Sequence, residues 1–147
     1  MKITSPAFSD GRPLPRECGY HHANRNPELL FSDVPASVRS LALIMDDPDA
    51  PRGTFVHWIV WNLPHDTAKL QSGELPPTAR TGRNQFGHDR YDGPAPPSGT
   101  HRYFFRVFAL DSPLHLPAGA DRKALEKAME GHILDEAALM GTFAADR

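Results

Sequence analysis

Two uninterrupted apolar runs near the middle of the chain dominate its hydrophobic pattern. Leu41 to Met45 is entirely apolar, and Phe55 to Trp61 is apolar except for His57. Runs this short are typical of strands covered on both faces, because buried helices need longer segments. We therefore predict two buried strands joined by a polar connection that contains two prolines.

Alternation along these strands predicts which side chains share a face, since every second residue of a strand points the same way. The first strand should place on one face Leu41, Leu43, Met45 and Asp47, and the second should place on one face Phe55, His57, Ile59 and Trp61. His57 is therefore expected to point toward apolar neighbours. Pro48 and Pro51 should hold the connection between the strands in extended geometry.

Two further segments have clear periodicity. A long strand is predicted from His101 to Leu110, with His101 and Tyr103 on the same face, and a short one from Pro27 to Phe31. Near the C-terminus the spacing is helical, with Asp121 as the expected N-cap and Gly131 bending or dividing the helix. The apolar positions of this helical region are Ala124, Leu125, Ala128, Met129, Leu134, Ala137 and Ala138.

The segment from Thr67 to Gly99 follows neither period and is rich in Gly, Pro, Asn and Asp. A structureless segment of this length in a compact domain is either disordered or functional. Phe86 and Tyr91 can anchor it, and its prolines lower the entropy lost on ordering. We therefore favour a packed, functional loop.

Composition and charge exclude several classes of function. The 147 residues are expected to form a single domain spanning 1–147, and the net charge of −2 includes no basic run that would favour nucleic acid or anionic membranes. No apolar window approaches the roughly 20 residues of a membrane span. With one cysteine, Cys18, and no secretory pattern in the first ten residues, we expect a cytoplasmic protein.

Several polar side chains lie at or near the ends of the predicted strands, beside proline- and glycine-containing loops: Asp47, Asp49, His57, His101 and Tyr103. Binding sites are commonly built at such places. Two imidazoles and a phenol can donate to an anion, and a carboxylate can orient an imidazole and raise its pKa. This combination suits a phosphate or a carboxylate. The alternative is that the histidines are satisfied core residues and the aspartates are turn residues.

Other chemistries receive less support from the sequence. Two histidines and a carboxylate also match a facial triad for iron, but no HxH, HExxH or CxxC spacing accompanies them, so no metal is expected. GxSxG, P-loop and GxGxxG fingerprints are absent, and we expect no cofactor. Cys18 is predicted to be a buried thiol rather than a nucleophile.

A family resemblance is carried by motifs that occur in order along the chain. They are DPDAP from Asp47 to Pro51, His57-Trp58, GPAPP from Gly93 to Pro97, and GTHRY from Gly99 to Tyr103. These closely resemble the two signature regions of the phosphatidylethanolamine-binding protein family, also called Raf kinase inhibitor proteins. Ser5 to Phe8 and Glu130 to Leu134 are similar to its small bacterial branch, which extends the resemblance over nearly the whole chain.

The resemblance implies a mainly β fold, a β-sandwich of mostly antiparallel strands with one or more peripheral C-terminal helices. It also implies a small cavity for anions such as phosphate or a phosphoethanolamine headgroup. Carried over by position, the cavity would be lined by Asp47, His57, His101 and Tyr103, with Gly93, Ala95 and Pro96 forming its rim by main chain. Asp49 would brace the loop against Arg102, supported by Pro48 and Pro51. Ala95 stands where the bacterial pattern commonly has cysteine.

Three functions follow as hypotheses. The first is a binding module that captures a phosphorylated ligand and regulates a kinase or another protein. The second is an enzyme, an isomerase or hydrolase, that uses Asp47 with His57 or His101 as an acid/base pair. The third is an interaction protein with a vestigial cavity. No nucleophile or oxyanion hole is identifiable, so we favour the non-enzymatic binding module, and the resemblance adds the expectation of a homodimer.

Overall fold

The computed structural model describes residues 1–146, and within them the chain forms nine strands and one α-helix. In chain order the elements are β1 (Lys2–Thr4), β2 (Arg12–Pro13), β3 (Leu29–Ser32), β4 (Ser40–Asp47), β5 (Phe55–Pro64), β6 (Lys69–Leu70), β7 (Arg80–Thr81), β8 (Thr100–Leu110), α1 (Arg122–Met129) and β9 (Ile133–Ala144). A short 3-10 helix, Arg16–Cys18, lies between β2 and β3. In this part of the chain no helix is long and apolar enough to cross a membrane.

The strands form two sheets. The smaller sheet has the order β1-β3-β6, and the larger has the order β2-β9-β8-β4-β5-β7. Neighbouring strands are antiparallel, except that β2 runs parallel to β9. The predicted mainly β fold of mostly antiparallel strands with a peripheral helix is thus confirmed.

Each face of the larger sheet has its own apolar core. One core joins the two sheets, since Ile3, Leu29 and Phe31 of the smaller sheet belong to the same buried cluster as Leu43 and Phe105 of the larger. The second core lies under α1 and contains alternate residues of β4 and β5 together with helix residues. It comprises Ala42, Ile44, Val56, Ile59, Trp61, Leu110, Leu114, Ala120, Leu125 and Met129. The larger sheet is therefore the middle layer.

Strand β4 is the centre of this middle layer. All eight of its residues are buried, and it pairs antiparallel with β5 on one side and β8 on the other. The register aligns the end of β4 with the starts of both neighbours, where Asp47 pairs with Phe55 and Asp46 pairs with Phe104. The polar ends of three buried strands consequently meet at one corner.

The predicted alternation of β5 is wrong because the strand contains a bulge at His57. Met45 pairs with Trp58 and Asp46 with Val56, which leaves His57 without an opposite residue. An extra residue in one strand shifts the facing of every residue that follows it. Ile59 and Trp61 therefore lie in the core under α1 rather than on the side of His57.

The C-terminal helical prediction is correct only for its first part. The Asp121 side chain accepts a hydrogen bond from the Ala124 N–H and caps α1, and the chain then turns at Gly131, whose φ is 78°. Leu134, Ala137 and Ala138, predicted to be helical, lie in β9, which pairs with β8 along nearly its full length. Strand pairing overrides the helix propensity of an Ala- and Leu-rich segment.

Helix α1 is fixed to the sheet by a nearly buried carboxylate. Asp46 is 1% exposed and accepts hydrogen bonds from Arg122 at 2.6 Å and from Arg106 at 3.1–3.3 Å. Arg122 also pairs with Glu126, one helical turn later, at 3.5 Å. The negative charge of Asp46, near the end of β4, is thus compensated by one arginine of α1 and one of β8.

We expect Asp46→Asn to lower the free energy of unfolding by about 2–3 kcal/mol, because it removes the buried anion shared by Arg106 and Arg122 and leaves Arg122 only its exposed partner Glu126. Urea denaturation followed by circular dichroism measures this change. Glu126→Gln removes a carboxylate from the same arginine at an exposed position and should cost less than about 0.5 kcal/mol. Equal effects of the two substitutions would contradict the anchoring role of Asp46.

Candidate functional site

A cavity of about 270 Å³ opens at the corner where β4, β5 and β8 meet. Its polar lining comes from the ends of these strands, and its apolar lining comes from Phe55 at the start of β5, from the β4–β5 connection and from the long loop before β8. The lining residues are Asp47, Ala50, Pro51, Phe55, His57, Phe86, Ala95, Pro96, Pro97, His101 and Tyr103. A few polar groups in a mostly apolar concavity are the usual composition of a small-molecule site.

Asp47 and His101 form a hydrogen-bonded pair across the β4–β8 boundary. The distance from His101 Nδ1 to Asp47 Oδ2 is 2.6 Å, and both side chains are at most 10% exposed. A carboxylate only accepts hydrogen bonds, so Nδ1 carries the proton and Nε2 is the ring nitrogen available to the cavity. The second oxygen of Asp47 accepts the Asp49 N–H at 2.8 Å, which fixes the carboxylate.

The ring and the main chain of His57 are both hydrogen-bonded to the main chain of Asp92. Its Nδ1 donates to the Asp92 carbonyl at 2.8 Å, and its carbonyl accepts the Asp92 N–H at 3.3 Å. Burial lowers the pKa of His57, against the opposing effects of that carbonyl and of the Asp47 charge. The ring is therefore neutral near pH 7, and its Nε2 offers the cavity a lone pair rather than the N–H donor that the sequence led us to expect.

Tyr103 supplies the least satisfied polar group of the site. The side chain is fully buried, and its hydroxyl is the one buried side-chain polar atom of residues 1–146 that has no hydrogen-bond partner. Burial, followed by the charge and the proximity of the Asp47 carboxylate, raises the pKa of Tyr103 against an opposing effect of the Ala95 main chain, so the hydroxyl stays protonated. Asp47 and Ala95 lie near the hydroxyl, but neither meets it with hydrogen-bond geometry. An unpartnered buried hydroxyl costs free energy and is therefore informative when it lines a cavity.

Aromatic side chains build one wall of the cavity. The Phe86 ring contacts the Phe55 ring edge to face, with centroids 4.9 Å apart, and lies 5.5 Å from the His57 ring. Tyr20 stacks on the outer side of Phe86 at 4.6 Å. Because each ring is held by another, this wall is preorganised rather than loose.

A buried carboxylate that we did not predict holds the loop against His57. Asp92 is 0% exposed and accepts hydrogen bonds from Asn24, Asn84, His88 and Arg90 at 2.7–3.0 Å. Burial alone would raise the pKa of Asp92, but these four hydrogen bonds outweigh burial and lower it. The Asp92 side chain thereby fixes the main-chain carbonyl that sets the tautomer of His57.

Most of the residues expected at the site by resemblance line the cavity, but Gly93 does not. Gly93 packs against the main chain of Cys18, and its N–H donates to Asn24 at 2.7 Å. Asp49 and Arg102 form a two-point ion pair outside the cavity at 2.9–3.0 Å, which lowers the pKa of Asp49 to about 2. Of the predicted supporting prolines, Pro51 lines the cavity and Pro48 does not.

Several lining residues were not predicted as site residues, although Phe86 was expected to anchor the long loop: Ala50, Phe55, Phe86 and Pro97. Phe55 was identifiable, because it precedes His57 by two positions on the predicted strand. Phe86 and Asp92 gave no such signal, since their roles depend on how the long loop folds. Among residues 1–146, no group of three or more His, Cys, Asp or Glu side chains is arranged to hold a metal ion.

Cys18 lies beneath the loop and is buried. Burial, with a smaller contribution from the Glu17 charge, raises the pKa of its thiol to about 12. The thiol therefore stays protonated at neutral pH and is a poor nucleophile. The Cys18 carbonyl accepts the Tyr91 hydroxyl at 2.8 Å, so the contribution of this residue to the site is through its main chain.

We expect Gly93→Ala to destabilise the protein by about 2–4 kcal/mol, because the added Cβ would lie 1.8 Å from the Cys18 carbonyl oxygen. Chemical denaturation measures the loss. Gly87→Ala is a useful comparison, because its Cβ would meet no atom and only its positive φ of 87° opposes the change. If Gly93→Ala were no more destabilising than Gly87→Ala, the close packing on Cys18 would be refuted.

The lowered pKa of His57 predicts a pH dependence of stability. The folded protein binds fewer protons here than the unfolded chain, whose histidine titrates near 6.5, so stability is complete above that pH and falls below it. His57 contributes a slope of at most about 1.4 kcal/mol per pH unit. We expect His57→Gln to reduce the loss of stability between pH 7 and 5, measured by urea denaturation. His115→Gln, at an exposed position, controls for removal of an imidazole, and an unchanged slope in His57→Gln would contradict the assignment.

Comparisons with known proteins agree with this architecture. The sequence model described as phosphatidylethanolamine-binding protein matches residues 4–144. UPF0098 proteins of Methanothermobacter thermautotrophicus and Chlamydia pneumoniae are 43% and 44% identical, each over 97% of this chain and 98% of their own length.

Two solved structures are similar along their whole length. A phosphatidylethanolamine-binding protein homologue from Chlamydia trachomatis has 41% identity and a TM-score of 0.94, covering 99% of this chain and 97% of its own. Escherichia coli YbcL, described as a member of the mammalian family, has 26% identity and a TM-score of 0.92, covering 99% and 98%. The resemblance noted from the sequence motifs is confirmed: this chain belongs to the phosphatidylethanolamine-binding protein family.

Proposed function

We propose that this protein binds a small anionic ligand, such as phosphate or a phosphoethanolamine-type headgroup, in the cavity at the end of β4. The observation that carries the proposal is the Tyr103 hydroxyl, which is buried at the cavity and has no hydrogen-bond partner among the described residues. Leaving such a group unsatisfied costs about 1–3 kcal/mol. An oxygen of a bound anion would accept this hydrogen bond.

The two histidines complete a set of polar groups around the same space. Nδ1 of each ring is engaged, by Asp47 for His101 and by the Asp92 carbonyl for His57. This arrangement supports ligand contacts through the two Nε2 atoms. Since the ring orientations are already fixed by protein groups, a ligand would bind without paying to order them.

The apolar wall supports binding of a small group rather than of an extended surface. Phe55, Phe86, Ala95 and Pro96 limit access of water to the polar end of the cavity. Hydrogen bonds to an anion are stronger where water is excluded. A cavity of about 270 Å³ suits a headgroup or a single modified side chain.

An enzyme acting on the same kind of compound is the second candidate. The observation that favours it is the 2.6 Å hydrogen bond between Asp47 and His101, which resembles the orienting half of an acid/base pair. Turnover of a small carbonyl or phosphate compound by the wild type, lost in His101→Ala, would favour this candidate. Binding without turnover would favour the first.

Regulation of a kinase, a homodimer and a cytoplasmic location are further parts of the proposal. They rest on the sequence patterns and on the family, and not on any contact described above. Each of these properties depends on particular binding sites rather than on the fold.

Tyr103→Phe separates ligand binding from stability. Removing an unsatisfied hydroxyl should leave the melting temperature of the free protein unchanged or raise it, while weakening binding of phosphate or phosphoethanolamine about tenfold. Thermal-shift titration at constant ionic strength measures both effects, because a ligand of the folded state raises the melting temperature.

Tyr91→Phe is the matched control for this experiment. Its hydroxyl lies outside the cavity and donates a hydrogen bond of 2.8 Å to the Cys18 carbonyl. We expect this variant to lose about 1 kcal/mol of stability and to keep the ligand response. A wild type that shows no shift with either anion, or a Tyr103→Phe variant that keeps the full shift, would count against the proposed site.

A further inference from the structure

We propose that the cavity takes a phosphate monoester in its singly charged, proton-bearing form, in preference both to the dianion and to a phosphodiester. This inference rests on the proposed function, since it concerns the ligand of the same site. It follows from the charges around the cavity and from which hydrogen-bonding groups face it.

No fixed positive charge lines the cavity among the described residues. Its lining contains no lysine or arginine. The nearby Arg102 is committed to Asp49 by two side-chain hydrogen bonds outside the cavity. Asp47, by contrast, is a nearly buried carboxylate on the cavity wall, with a side chain only 4% exposed. The site can be at most neutral if His101 is charged, so a second negative charge on the ligand is unfavourable.

His57 requires a hydrogen-bond donor from the ligand. Its Nδ1 proton is used by the Asp92 carbonyl at 2.8 Å, which leaves Nε2 as an acceptor. The groups that act on the ring are the Asp47 carboxylate, the Asp92 carbonyl and carboxylate, the Gly93 main chain, and the rings of Phe86, Tyr103 and, on β5 itself, Phe55. None of these donates to Nε2.

Tyr103 requires the opposite kind of partner. Its hydroxyl stays protonated and needs an acceptor. A ligand that satisfies both residues must therefore present a donor and an acceptor within a few ångströms of each other. The group ROPO₃H⁻ does so, because its P–OH can donate to His57 while a P–O oxygen accepts from Tyr103. It also carries a single negative charge.

The need for a ligand donor at His57 distinguishes two kinds of phosphorylated ligand, the phosphodiester and the phosphate monoester. A phosphodiester, as in a diacyl phospholipid, has one negative charge but no P–OH, and so leaves Nε2 of His57 unsatisfied. A monoester, whether a free metabolite or a phosphorylated side chain, has the proton up to its second pKa of about 6. Discrimination between groups that differ by one hydrogen-bond donor is strong when the protein group is buried.

The test is the pH dependence of binding for three probes: ethyl phosphate, ethylphosphonate and diethyl phosphate. Ethylphosphonate keeps its proton to higher pH than ethyl phosphate, because carbon withdraws less charge than oxygen. Isothermal titration calorimetry from pH 5 to 8 at constant ionic strength gives each affinity. We expect affinity for ethyl phosphate to fall about tenfold per pH unit above its second pKa, and the midpoint for ethylphosphonate to lie correspondingly higher. Diethyl phosphate should bind at least about tenfold more weakly than ethyl phosphate at pH 5.

The outcomes separate this inference from the proposed function. If the affinities of ethyl phosphate and ethylphosphonate fell with the same midpoint pH, the titrating group would belong to the protein. That result would overturn the inference while leaving an anion site in place. Equal affinity for diethyl phosphate and ethyl phosphate at pH 5 would show that no ligand proton is donated to His57. It would overturn the inference and again leave an anion site in place. Failure of all three probes to bind at pH 5 would overturn the proposed function as well.

Asp47→Asn tests the contribution of charge to the selection. The amide removes the buried negative charge and keeps one oxygen, which can accept from His101 or from the Asp49 N–H but not from both, because these donors use different carboxylate oxygens in the wild type. We expect the fall in ethyl phosphate affinity between pH 5 and 8 to shrink at least threefold in this variant. An equally steep fall would overturn the argument that repulsion by Asp47 excludes the dianion. The melting temperature of the free variant, measured in parallel, verifies that it is folded.

Discussion

The structure depends on how two adjacent carboxylates are compensated at the buried end of β4. Asp46 points toward α1 and Asp47 points toward the cavity, because successive residues of a strand face opposite sides of the sheet. Each is at most 3% exposed. On one face the arginines of α1 and β8 both pair with Asp46, and the result is an anchored helix. On the other face the only side-chain partner described for Asp47 is an imidazole, with the Asp49 N–H as a main-chain donor, and the result is a polar cavity.

The central strands and the polar corner were accessible from the sequence, because β4 and β8 follow simple alternation. Asp47 could therefore be placed on one face of its strand, and His101 with Tyr103 on one face of theirs, whereas the expectation that the three share a cavity came from the family resemblance. The bulge at His57 could not be predicted, because it depends on the pairing register with β4. The error changed the side assigned to Ile59 and Trp61 but not to His57, which precedes the shift.

Local pattern failed where distant segments decide the conformation. Ile133–Ala144 has a helix-forming composition, but it lies beside β8 and completes the sheet. The hydrogen bonds accepted by the Asp92 side chain were equally unpredictable from the sequence, since one donor, Asn24, lies 68 residues away in the chain. Its consequence for chemistry is indirect: a carboxylate that never faces the cavity determines, through a main-chain carbonyl, which nitrogen of His57 can meet a ligand.

The parallel pairing of β2 with β9 joins Arg12 to Gly141 and Pro13 to Thr142. Contacts this distant in sequence carry a high loop-closure entropy and form slowly, whereas β4 and β5 are joined by a short connection. The core hairpin can thus assemble early, and closure of the outer edge of the sheet can be among the last steps of folding. In kinetic terms, we expect pairing of the N-terminal segment with β9 to follow formation of the β4–β5 hairpin.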